Sequence, residues 1–102
     1  MIDRATLQLA QLQKLLKRFL DQHGAAFHLQ ALGYFGSYAR GEAGPESDVD
    51  IVFHTDRPDL LLTAMLKQDL EALLQRSVDV VRFRESMNPR LMARIQREAQ
   101  YV

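Results

Sequence analysis

Residues 36–52, GSYARGEAGPESDVDIV, decide how the chain is read. Gly36-Ser37 closes a short apolar run, ALGYF at 31–35, and after ten more residues Asp48-x-Asp50 opens another, DVDIVFH at 48–54. The glycine permits close approach of the backbone to a ligand. Ser37 is followed by residues that can form a short helix over 38–42, whose free N–H groups would face an anion. Asp48 and Asp50 stand two apart on a strand, so both carboxylates leave the same face. Hard cations such as Mg²⁺ take oxygen ligands and share them with substrate phosphates. A phosphate cradle beside paired carboxylates points to nucleotide chemistry.

Outward from this stretch the periodicities continue. In the strand over 48–54, Val49, Ile51 and Phe53 fall on one face and Asp48, Asp50 and Val52 on the other. Upstream, the spacing of Ala5, Leu9, Leu12, Leu16, Phe19 and Leu20 predicts a helix over 3–22, stopped by Gly24. Gly41, Gly44 and Pro45 mark a loop. Downstream, Pro58 between Asp56 and Asp59 predicts the first turn of a helix over 58–75. Its stripe is Leu62, Leu66, Leu70 and Leu73, widened by Leu61 and Met65. VDVVRF at 78–83 reads as a third strand, and Asn88-Pro89 as the cap and first turn of a last helix running to about Ala99.

The expected order is therefore α-β-α-β-α-β-α, an α/β chain with a small mixed three-stranded sheet and packed helices. If Ser37, ending the first strand, is to meet Asp48, beginning the second, those strands run antiparallel. If Asp79, near the start of the third, joins them, the second and third run parallel, with the helix at 58–75 as a right-handed crossover.

Whole-chain properties narrow the classes. A chain of 102 residues with no internal repeat or linker reads as one domain, 1–102. Lys+Arg and Asp+Glu are both 13, so no basic excess exists to hold a nucleic acid stably. There is no cysteine, which excludes disulfides and thiolate metal sites and fits a reducing compartment. The first residues, MIDRATLQLAQLQ, are amphipathic and charged, unlike a signal peptide, and no apolar run approaches a membrane span. The expectation is a soluble cytoplasmic protein.

Each candidate side chain has a bland use as well. Asp-x-Asp alone occurs on solvent-facing strands. Asp79, however, lies among Val78, Val80 and Val81, and an isolated acid in an apolar strand needs a reason. Two unit charges about 5 Å apart repel by about 3 kcal/mol at an effective dielectric of about 20. The three acids therefore either stay apart or hold metal. Arg40, one turn past Ser37, can reach a bound triphosphate or pair with Glu42 or Glu46 on the surface. Ser47 can cap the turn into the second strand or touch a phosphate. Tyr38 reads as a wall residue. His23, His28 and His54 have no ligand spacing between them and read as structural, and Ser37 lacks the His-Asp company of a hydrolase nucleophile.

Gly36-Ser37, ten residues, Asp48-x-Asp50 and then Asp79 on a later strand resemble the DNA polymerase beta nucleotidyltransferase superfamily. SYARGEAGPESDVDI, the short chain and the ending NPRLMARIQREAQYV more closely resemble the minimal nucleotidyltransferases, the MntA-type antitoxins encoded beside HEPN-domain RNase toxins. The resemblance implies a nucleotidyltransferase fold, two Mg²⁺ ions and ATP as donor. Gly36 and Ser37 would hold the triphosphate, with Arg40 and Ser47 as further candidates, and Asp48, Asp50 and Asp79 would bind metal. The implied acceptor is a tyrosine hydroxyl on the partner HEPN toxin, whose AMPylation silences the RNase. Two other readings stand beside it: an antitoxin that neutralises by binding alone, and a small-molecule nucleotidyltransferase, although those carry an extra helical domain.

In such a site Asp48 and Asp50 would bridge the two ions. Asp79 would ligate one and accept the proton of the attacking hydroxyl, and Arg40 would take up charge on the departing pyrophosphate. Three strands and their helices leave little chain for an acceptor pocket. A second protein is therefore expected to complete the site, with Leu61, Met65 or the first helix's second face as the homo- or hetero-oligomer contact.

Overall fold

Alternation along residues 49–54 has two buried sides, and this sets the layers. Val49, Ile51 and Phe53 pack into one cluster and Val52 into another. A strand buried on both faces needs cover on both faces. The computed structural model describes residues 7–102. Within it the elements are α1 (Leu9–His23), β1 (Ala31–Phe35), β2 (Val49–His54), α2 (Leu60–Leu74), β3 (Val78–Arg82), α3 (Pro89–Glu98) and β4 (Gln100–Tyr101). The sheet order is β3-β2-β1-β4. β1 runs antiparallel to β2 and to β4, and β2 runs parallel to β3, the directions expected for the first three strands if Ser37, Asp48 and Asp79 are to meet.

Leu12, Leu16 and Phe19 of α1 and Leu66, Leu70 and Leu74 of α2 cover one face, over Leu32, Tyr34, Ile51, Phe53 and Val78. On the other face Met87 and Ile95 close over Phe35 and Val52, with Leu91 and Met92 at the margin. Asn88 caps α3 as expected, its Oδ1 accepting from the N–H groups of Arg90 (2.9 Å) and Leu91 (3.2 Å).

Several expectations need correction. The short helix at 38–42 is a run of turns, so the observed order is α-β-β-α-β-α-β, with three helices and four strands. The fourth strand is only two residues long, and β1 receives it because Gly33 has no side chain. A Cβ there would lie 2.6 Å from the Gln100 carbonyl oxygen. The first helix begins at Leu9, after Gln8 in extended conformation (ψ 140°), and the expected start at residues 3–6 lies outside the described residues. The second begins at Leu60 because Asp59, accepting from Leu62 N–H at 3.0 Å, is its cap, which leaves Pro58 ahead of the helix. Asp48 just precedes its strand, and the strand over 78–83 stops at Arg82.

The buried stripe of α2 is Leu66, Leu70 and Leu74, so Leu73 turns outward with Leu60, Leu61 and Met65. Leu70→Ala, at a fully buried position, is expected to cost about 3 kcal/mol in urea unfolding, whereas Leu60→Ala, at a position 92% exposed, should stay within about 0.5 kcal/mol of wild type.

Candidate active site

β1 ends where the chain has to reverse tightly against the start of β2. Gly36 is buried with φ +73°, a conformation that side chains rarely adopt, and a Cβ on it would run into the Asp50 carboxylate. Glycine is thus required twice over, by the backbone and by the neighbour. The following turns are held by Arg40 N–H to Gly36 O (3.0 Å) and Glu42 N–H to Ser37 O (2.9 Å), with Gly41 at φ +72°. Because Gly41 reverses the path, no helix starts at Ser37, and any anion here meets the N–H groups of a turn. Ser47 takes its capping role, its Oγ accepting from Gly44 N–H at 2.8 Å. Tyr38, expected as a wall residue, is instead 3% exposed in the α1–α2 core, on the sheet face away from the acids.

The acids come from neighbouring strands. The register aligns Phe35, Asp50 and Asp79 across β1, β2 and β3, so the three side chains share the face on which α3 packs. Asp50 is half-buried, whereas Asp79 and Asp48 are exposed. Burial pushes the Asp50 carboxyl above its usual range. The Arg94 guanidinium opposes that shift, and the charges of Asp79 and Asp48 add to it. Asp50 thus feels the charge of both other acids, and carboxylate oxygens are donors that suit a hard cation. Among the described residues, however, no three acidic or histidine side chains are gathered closely enough to hold a metal ion.

Two residues that the sequence pattern did not single out complete the site. Arg94 of α3 places Nη2 3.8 Å from Asp50 Oδ2 and its guanidinium carbon 5.4 Å from the centre of the Phe35 ring. Glu98, one turn on and 12% exposed in its side chain, accepts from Gly36 N–H (3.2 Å), Arg40 Nη1 (3.1 Å) and Arg94 Nε (3.4 Å), all at Oε1. Burial acts to raise the Glu98 carboxyl, but the Gly36 N–H and the two arginines outweigh it and hold it below the usual carboxylate range. Arg40 also donates from Nε to Glu42 at 2.7 Å, which is the surface pair foreseen for it. The signal for Arg94 and Glu98 was their four-residue spacing on a helix in the ending NPRLMARIQREAQYV, and it reads equally as an ordinary surface pair.

The remaining groups are elsewhere. His54 Nε2 lies 2.7 Å from Tyr101 Oη and its ring stacks on Phe83, toward the opposite end of β2. His23 packs on Phe19. An open cavity of about 370 Å³ lined by Gln13, Lys14, Lys17 and Tyr34 lies on the α1 side of the sheet, away from the acids.

The nucleotidyltransferase domain family matches residues 12–102. The protein adenylyltransferase MntA of Thermococcus cleftensis is 36% identical over 99 residues, covering 96% of this chain and 99% of the relative. A solved minimal nucleotidyltransferase superposes with a TM-score of 0.77 at 35% identity, over 92% of this chain and 95% of the other. A toxin–antitoxin crystal structure with AMP-PNP superposes with a TM-score of 0.68 at 26% identity, over 93% of this chain and 72% of the other.

Two measurements test the electrostatics. Asp50 titrates above its unfolded value, so its ionisation disfavours the fold, and that penalty builds as pH rises from the unfolded value and is complete above the raised one. Asp50→Asn should therefore melt higher than wild type at pH 7 without metal, and the gap should close as pH falls through the acid range. Gly36→Ala should lose about 2 kcal/mol in chemical unfolding, from backbone strain and the collision with Asp50.

Proposed function

This chain belongs to the nucleotidyltransferase domain family, and from that premise we propose that it moves AMP from ATP to a tyrosine hydroxyl of a HEPN-type RNase partner, acting as the antitoxin. The observation that carries the reading is the packing of Gly36 on Asp50, which sets the glycine turn directly against the Asp-x-Asp strand. The name of the Thermococcus relative, a protein adenylyltransferase, supports the donor chemistry. The AMP-PNP in a neighbouring toxin–antitoxin structure supports the nucleotide and the class of partner. The need for ATP makes the cytoplasm the setting.

On this reading the Gly36–Ser37 turn, Arg40 and Ser47 hold the triphosphate, and Asp48, Asp50 and Asp79 hold Mg²⁺. The bound ions supply Lewis-acid stabilisation of charge on the reacting phosphoryl group. The acceptor oxygen bonds to the α-phosphorus as the bond to pyrophosphate breaks. Asp79 takes the acceptor's proton, and Arg40 draws off charge on the leaving group. Asp48 and Asp79 lie exposed, which suits an acceptor hydroxyl brought by another protein.

Incubation with ATP labelled at the α-phosphate, Mg²⁺ and the product of the adjacent reading frame is expected to label that protein. Label on a small molecule, or on nothing, overturns the proposal. Asp48→Ala and Asp50→Ala should each lower transfer at least about 100-fold with circular dichroism unchanged, and excess chelator should abolish it. Variants that silence the toxin as fully as wild type does would show that binding, not transfer, neutralises it.

A further inference from the structure

α3 fills both ends of this site with its own charges. Arg94 lies against the Asp50 carboxylate, where positive charge is wanted, and Glu98 holds the Gly36 N–H and the Arg40 guanidinium, where negative charge is wanted. We propose that Arg94 and Glu98 set the affinity of the site for nucleotide by occupying it, so that a metal-bound triphosphate binds only as this pair gives way. The proposal rests on the nucleotide-binding reading above and adds to it two residues outside the Gly-Ser and Asp-x-Asp motif.

The Gly36 amide has a single hydrogen, and Glu98 Oε1 accepts it at 3.2 Å. A phosphate oxygen bound to the same donor must replace that carboxylate oxygen. The two anions also repel, most strongly where solvent is thin, and the Glu98 side chain is only 12% exposed. Arg40 reaches the same oxygen at 3.1 Å and is tied up by the same carboxylate. At the other end, a guanidinium 3.8 Å from Asp50 Oδ2 and a divalent cation on that oxygen repel in the same way.

Arg94 Nε and Glu98 Oε1 are 3.4 Å apart on one helical turn, so neither charge moves without the other losing a partner. The displaced carboxylate has a new counter-ion at hand. Arg97 Nη2 is 3.9 Å from Glu98 Oε2, on a side chain 70% exposed, and points the way out to water. The pair is thus a built-in competitor whose exchange favours a ligand carrying both signs, a metal–triphosphate complex, over free phosphate or free metal.

The test is calorimetric titration of the purified chain with α,β-methylene-ATP and Mg²⁺, comparing wild type with Glu98→Gln. The variant keeps the shape and removes the charge, and it is expected to bind on the order of three- to tenfold more tightly, the factor by which a partly closed site weakens apparent affinity. In parallel, Arg94→Gln should bind Mn²⁺ alone more tightly than wild type, read by water-proton relaxation. Wild-type binding that Glu98→Gln leaves equal or weaker overturns the competition while leaving the nucleotide reading intact. Failure of both proteins to bind overturns both. A measurement on the wild type alone guards against a misfolded variant. The ¹³C resonance of the Glu98 carboxyl should shift when the analogue binds. A Gly36 amide that shifts while the Glu98 carboxyl does not would refute the exchange.

Discussion

Asp50 is a carboxylate drawn partly out of water at the head of β2, with a second acid beside it on β3 and a third two residues back. Most of what surrounds it can be understood as a response to that concentration of negative charge. Burial makes its ionisation costly, and the neighbouring acids raise the cost further. Against this the chain sets Arg94, steadied by the face of Phe35 and by Glu98. Glu98 in turn needs donors, and it finds them in the backbone of Gly36 and the guanidinium of Arg40. The result is a line of alternating charges, Asp50–Arg94–Glu98–Arg40, laid across the mouth of a glycine turn.

The fold is what brings these groups within reach. Antiparallel pairing of β1 with β2 returns Gly36 to the start of the strand that bears Asp50, and parallel pairing of β2 with β3 lines Asp79 up with it. Parallel neighbours require a crossover, which α2 supplies, and its leucines cover the sheet face that faces away from the acids. Placing α3 on the other face delivers Arg94 and Glu98 to the site, anchored by Ile95 between them. Hydrophobic layering and functional geometry are therefore the same arrangement seen from two sides.

Much of this could be read from the residues. The alternation of DVDIVFH and the Asn88-Pro89 helix start follow from short-range rules, whereas the strand directions follow only once Ser37, Asp48 and Asp79 are taken to meet in one site. Where the reading failed, the deciding interaction was a distant one. Residues 38–42 have helical propensity, but Gly41 at positive φ and the pull of Glu98 on the Gly36 amide leave only turns. The two-residue β4 carries almost no pattern and exists because Gly33 leaves room for it. The stripe of α2 was one position out at its end, since Leu73 and Leu74 are equal in hydrophobicity and only packing chooses between them. Arg94 and Glu98 could not be told from a surface ion pair, because nothing local says that a turn 62 residues upstream needs an acceptor.

Asp79 sits on β3, the outermost strand at one side of the sheet, whose remaining sequence is Val78, Val80, Val81 and Arg82. An open edge of valines is a template on which another chain can add itself, strand upon strand. Asp79 and Arg82 put solvated charges on that edge, which lose water when a further strand adds, and that cost opposes stacking. Removing the acid also strips a guard against self-association, so an Asp79 variant that comes out of solution reports on colloid chemistry.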